Sequence, residues 1–228
     1  VLENPHIANL QIVSRNTMMK QHDIKTFDDL CEKYSTWIIK YCSTTFKLPL
    51  FLVWYTDNDE GSTTKIMTNK SGNIFATNSL VHLKNKVKSD IEDLIVCDNI
   101  ISWLENFGNL ELVESCTFDI PELENEIVKN NLNIPTIESF ANFINLFDDF
   151  VNQDLKYAKL QTYIDNELVK ETWDYFYKYI FWPRFNDNEK FAELDIPKLK
   201  IDSKELLIKL KEVTKTFDDQ IKLTENAI

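Results

Sequence analysis

Apolar residues recur at three- and four-residue steps through positions 136–152: Ile137, Phe140, Ala141, Phe143, Ile144, Phe147, Phe150 and Val151. That spacing lays them on one broad helical face, and four phenylalanines on it make this helix the predicted centre of the fold. Pro135 precedes it and Thr136 is a suitable N-cap, which marks its start. Positions 26–41 show the same period, with Thr26 as cap, Asp28 and Asp29 in the first turn, and Phe27, Leu30, Tyr34, Trp37, Ile38 and Tyr41 on the apolar face. This reads as one helix.

After Pro49 the pattern changes. Residues 50–56 are dense in β-branched and aromatic side chains, 63–68 and 73–77 follow as shorter extended stretches, and turn-rich runs at 57–62 and 70–73 separate them. The expected result is a small antiparallel meander. A short helix follows near Leu80–Val87. Positions 90–107 fit either a helix stopped by Gly108 or a strand followed by a shorter helix capped by Asp98. Residues 110–118 read as extended and 121–130 as a short acidic helix. Residues 158–181 read as a long aromatic helix that ends near Pro183, because proline disfavours helix in the residue before it. A final helix is expected from a Ser203 cap to about Leu223, with Leu206, Leu207, Leu210, Val213, Phe217 and Ile221 facing inward. The fold class expected is α+β: an N-terminal antiparallel β-meander with helices, then a helical half, packed as one domain. Residues 1–21 read as a weakly ordered leader and 22–228 as a single domain.

Composition narrows the function classes. A hydrophobic fraction of 43% supports a packed core. No apolar run reaches the ~18 residues of a membrane span, and the first residues lack the pattern of a secretory signal. Cys31, Cys42, Cys97 and Cys116 form no C-x-x-C pair, which fits reduced thiols and a cytoplasmic location. The net charge is −12. A chain this acidic does not bind nucleic-acid backbone by default; its charge either simply solvates it or suits a basic protein partner, whose approach its field accelerates. The acid excess is greater in the second part: residues 1–115 carry 11 basic and 15 acidic groups, residues 116–228 carry 14 and 22.

Candidate chemistry is sparse. Asp148 and Asp149 are the carboxylate pair of a possible magnesium site, the basis of an alternative reading as a metal-dependent hydrolase or transferase. The third carboxylate such a site wants is not at the following helical turn, where Asn152 and Gln153 stand. Residues 57–61 open like a calcium loop, but Ser62 stands where the loop needs glycine and Thr68 where it needs a bidentate glutamate. His6, His22 and His82 have no evident catalytic partner, no G-x-S-x-G occurs, and three scattered glycines cannot form a phosphate cradle. No cofactor or metal is expected, and no enzymatic activity. The aromatic run 173–182 reads as a helix buried on several sides; an exposed stripe of Tyr175, Tyr177 and Tyr179 would instead suit an adaptor. Residues 111–126 hold six acids and no base.

Two short motifs bear a family resemblance. Asn145-Leu-Phe-Asp-Asp149 resembles the W-N-L-F-x-D helix of immunity proteins from bacterial polymorphic and contact-dependent growth inhibition toxin systems, with Ile144 in the Trp place. Trp173-Asp-Tyr-Phe176 resembles their Y-D-K-L-F helix. The upstream order of a strand with Trp54, turn, strand, turn and Ile74-Phe-Ala-Thr77 is similar too. The resemblance spans about residues 50–185 and lacks the G-x-N-L-P that follows the second motif. It implies a cytoplasmic, non-catalytic protein that binds and neutralises one cognate basic toxin domain, such as a nuclease, with no nucleic-acid or membrane partner. On this reading Glu122, Glu124 and Glu126, with Asp57, Asp59 and Glu60 at the hairpin tip, are the toxin-binding candidates.

Overall fold

The computed structural model describes residues 24, 26–57, 63–108 and 110–223. The leader, His6, His22, Asp59 and Glu60 lie outside the described residues. The fold is α+β, a sheet-bearing N-terminal part followed by a mostly helical part, and the chain forms two compact units. One comprises residues 1–118 and 218–228, the other residues 119–217.

In the first unit, α1 (Phe27–Tyr34) starts from the expected cap: the Thr26 hydroxyl accepts from the Asp29 amide and the Asp29 carboxylate accepts from the Thr26 amide. The helix ends far sooner than its apolar spacing suggests. Ser35 takes a left-handed conformation (φ 47°), and the chain turns into strand β1 (Thr36–Cys42). Thr-Trp-Ile-Ile-Lys-Tyr-Cys is a sequence of strong strand formers, and its period of two was hidden because Trp37, Ile38 and Tyr41 also fit a helical face. β1 pairs antiparallel with β2 (Leu50–Asp57), with Trp37 opposite Trp54 and Ile39 opposite Leu52. β2 pairs antiparallel with β3 (Thr63–Ile66), and β5 (Cys116–Asp119) flanks β1, giving the order β3-β2-β1-β5.

The expected third strand of the meander, β4 (Ile74–Ala76), lies outside this sheet. It bridges to its neighbours through Thr68–Ile74 and Phe51–Thr77 and pairs in parallel with β6 (Ile221–Leu223) near the other end of the chain. A pairing partner almost 150 positions away leaves no trace in local periodicity. Helices α2 (Leu80–Asp90) and α3 (Asp98–Glu105) complete the unit; the ambiguous stretch resolves into an irregular segment and the shorter helix, with Cys97 at its cap position. Leu30, Ile38, Val53, Leu83, Val87, Ile100, Trp103 and Phe107 form its core, with Trp103 and Phe107 edge-on at 4.5 Å.

The second unit is built on α5 (Ile134–Asn152), preceded by α4 (Ile120–Val128). The true cap of α5 is Asn133, whose side chain accepts from the Thr136 amide, so Pro135 sits inside the first turn, where its missing N–H costs nothing. Phe140, Phe143, Phe147 and Phe150 are all buried. Phe217 of α10 (Ser203–Asp218) lies among three of them, at 5.9, 6.4 and 6.0 Å from Phe143, Phe147 and Phe150. Asp202, rather than Ser203, caps α10, and that helix stops at Asp218 before β6 begins.

The expected long aromatic helix is segmented. A 3-10 turn (Leu155–Leu160) leads into α6 (Gln161–Ile164); Asn166 then caps α7 (Glu167–Phe176). A single wide π-helical stretch, Tyr177–Phe181, carries the chain into α8 (Trp182–Asn186). Helix therefore continues through Pro183 instead of ending there. The wider winding just before it accommodates a residue that can neither donate to nor pack closely against the preceding turn. A short α9 (Asn188–Phe191) follows.

Candidate partner-binding surface

Of the acidic run 111–126, only the end, with Glu122, Glu124 and Glu126, folds into α4; Glu111 and Glu114 precede β5 and Asp119 closes it. Asp119 caps the helix by accepting from the Glu122 amide, and Ile120, Leu123 and Ile127 turn inward. That leaves Glu122 exposed and Glu124 and Glu126 at the helix margins. Glu124 lies 3.6 Å from the Lys211 ammonium of α10. Glu126 is 2.7 Å from Lys129 and also accepts from Asn131; Lys129 foremost, then Asn131, holds its carboxyl below the usual range. Two of the three acids thus have a local lysine. Such partly exposed pairs contribute little to stability.

The remaining candidates divide. Asp57 is only 7% exposed and pairs at 2.9 Å with Lys65 across β2 and β3. It is a shielded charge within the sheet, so little of its field reaches solvent. Asp59 and Glu60 lie outside the described residues. Signals for the pairings exist in hindsight: Glu126 and Lys129 stand at i,i+3 on a helix, whereas Lys211 and Lys65 are brought in by tertiary structure and strand register.

Asp148 and Asp149 do not present a joint site. Asp148 accepts at 2.8 Å from Asn152 one turn on, while Asp149 is buried. Adjacent positions on a helix point about 100° apart, so the two carboxylates diverge. Among the described residues no group of three or more His, Cys, Asp or Glu side chains is arranged to hold a metal ion. His82 is exposed on α2.

The two motif helices meet at one side chain. Asn145 on α5 is buried; its carbonyl accepts from the Trp173 indole N–H at 2.6 Å and its amide donates to the Tyr177 hydroxyl at 2.9 Å. Burial foremost drives the Tyr177 phenol well above its ordinary range, with Asp149 and Asp148 adding in the same direction and the Asn145 bond opposing them. The hydroxyl therefore stays protonated. Trp173 and Tyr177 also contact each other as rings at 4.3 Å, and the aromatic series continues through Phe181 and Phe185, stacked at 6.0 Å. Because Tyr177 is buried, the stripe Tyr175–Tyr177–Tyr179 is not exposed; Tyr175 and Tyr179 are half-buried neighbours at 5.0 Å. Their solvent side is an open groove of about 430 Å³, lined by Glu167, Glu171, Asp174, Lys178 and Leu199 among others.

This fold has a solved counterpart. It is similar to the crystal structure of the SatS C-terminal domain in complex with bromine, with a TM-score of 0.54 over 86% of this chain and 97% of that one, at 11% identity. At that identity the likeness speaks for the fold alone. No protein-family model matches the chain, and no curated protein does.

The four cysteines are free thiols. Burial pushes Cys31 and Cys116 up to about 12, which keeps both protonated and chemically quiet near neutral pH. Among the described residues no helix is long and apolar enough to cross a membrane.

Proposed function

We propose that this chain is a non-catalytic inhibitor of the immunity-protein type, which binds and neutralises a basic toxin domain through the acidic surface of α4. The observation that carries the reading is the Asn145 bridge. The two motifs on which the resemblance rests, Asn145–Asp149 and Trp173–Phe176, are 28 positions apart between Asn145 and Trp173, yet they are joined by a partly buried hydrogen bond. That the two motifs pack against each other supports reading them together. A net charge of −12 supports a basic partner, because it steers such a protein into encounter and disfavours nucleic acid and anionic membrane surfaces. Of the candidate contacts, Glu122, Glu124 and Glu126 are the ones a partner reaches on this reading; Asp57 supports the hairpin instead.

Affinity capture from the source cells, followed by expression of the captured protein, tests this. The expected result is a basic partner that stops growth when expressed alone and is silenced by co-expression of this chain, with association that slows as salt rises. A partner that is acidic or harmless, or a toxin still silenced by a chain with all three glutamates reversed to lysine, would overturn respectively the function and the surface.

A further inference from the structure

Residues 195–201 run without regular secondary structure between α9 and α10. Among the described residues, the one hydrogen bond made to this stretch is from the Tyr175 hydroxyl to the Pro197 carbonyl. Its side chains divide by position: Ile196, Leu199 and Ile201 are half-buried, and Leu199 lines the groove beside Tyr175 and Tyr179, while Pro197, Lys198 and Lys200 are exposed. Both ends join helices through backbone hydrogen bonds. The Leu194 amide donates to the Phe191 carbonyl at the close of α9, and Asp202 caps α10 through the Lys204 and Glu205 amides and accepts at its carbonyl from Leu206.

We propose that residues 195–201 form a displaceable strap, latched at its midpoint by Tyr175, which lifts from the α7 groove while α7 and α10 stay folded. The physical reason is the imbalance between middle and ends. A backbone with so few hydrogen bonds to the rest of the chain gives up little on release, so three half-buried side chains and one tyrosine bond oppose opening. Closed, the strap covers one side of the Tyr175–Tyr179 ring pair; open, it bares that side and frees the Tyr175 hydroxyl. The strap stands independently of the binding reading above, since nothing in it depends on a partner.

Limited trypsin digestion of the full chain under native conditions tests it, because Lys198 and Lys200 offer cleavage sites only to a protease that can seize the released chain. The rate to follow is that of the fragment pair cut after Lys198 or Lys200, read by mass. Tyr175→Phe is expected to raise this rate up to about fivefold, the effect of losing one hydrogen bond on the open population, with an almost unchanged thermal midpoint; Tyr179→Phe is expected to leave the rate as it was. A wild-type rate in Tyr175→Phe, or a rise matched by a fall in thermal midpoint, would overturn the latch.

Discussion

Replacing Asn145 by alanine removes the junction between α5 and α7, and its cost can be worked from the two bonds the side chain makes. The Trp173 indole N–H loses an acceptor at 2.6 Å and the Tyr177 hydroxyl loses a donor at 2.9 Å. A typical net hydrogen bond contributes about 1 kcal/mol, and a buried polar group left unpaired costs a further ~1–3 kcal/mol. Trp173 is partly exposed and its N–H can turn to water, so the larger penalty falls on Tyr177, which is 5% exposed. The expected loss is about 3 kcal/mol. Urea unfolding, followed by tryptophan emission and by far-ultraviolet circular dichroism together, measures it; coincident curves license a single free energy in a chain of two units. Tyr177→Phe alone is expected to cost less, and the double variant about 1 kcal/mol less than the sum of the singles, because both act on one bond. A loss below about 0.5 kcal/mol in Asn145→Ala, or strict additivity, would refute the bridge as an energetic link.

Four further outcomes are expected. Asp218→Ala strips the acceptor that receives the hydroxyls of Tyr41, Ser43 and Thr45 at 2.7, 2.6 and 2.6 Å; bonds to a charged group are strong, so about 3 kcal/mol of stability should go, with Asp218→Asn retaining part, as thermal melting would show. Phe217→Ala empties the centre of the second unit's aromatic cluster and should cost about 3–5 kcal/mol, and a smaller loss would mean that the cluster closes over the gap. Stability should decline between about pH 9 and 12: the unfolded Cys31 thiol releases its proton near 9.0 whereas the buried one holds it to about 12, so the unfolded state carries fewer protons in that window. Alkaline denaturation should therefore be shallower in Cys31→Ala by roughly 1 kcal/mol per pH unit, and identical slopes would contradict it. If the proposed basic partner exists, Glu122→Lys should slow association with it and flatten the salt dependence, with only a small fall in melting temperature from placing a cation in the first turn of α4; an unchanged rate would remove Glu122 from the interface.

The amphipathic periods carried most of the helical half. The four-phenylalanine face of α5, the acidic helix α4 and the inward stripe of α10 follow from local spacing, because a helix writes its buried side into its own sequence. Local reasoning failed where two periods coincide or where a remote segment supplies the answer. Residues 36–42 satisfy both a helical face and a strand. Only Ser35's left-handed turn and pairing with β2 select the strand. Pro183 stops a regular helix, and it was the wider winding of Tyr177–Phe181 that carried the chain through.

The candidate surface divides along the same line. That residues 121–130 form a short acidic helix was legible. That Lys211 and Lys129 stand beside Glu124 and Glu126, and that Lys65 shields Asp57, was decided by packing and register. The same holds for the Asn145 bridge and the Asp218 cluster, whose partners lie up to 177 positions away. The chain's own order determined its class, its charge and where its helices bury themselves, since these depend on neighbours a few residues apart. Which carboxylates remain open to a partner, which polar groups become shared internal junctions, and which stretch is left as a strap depend on residues that meet only when the tertiary structure forms.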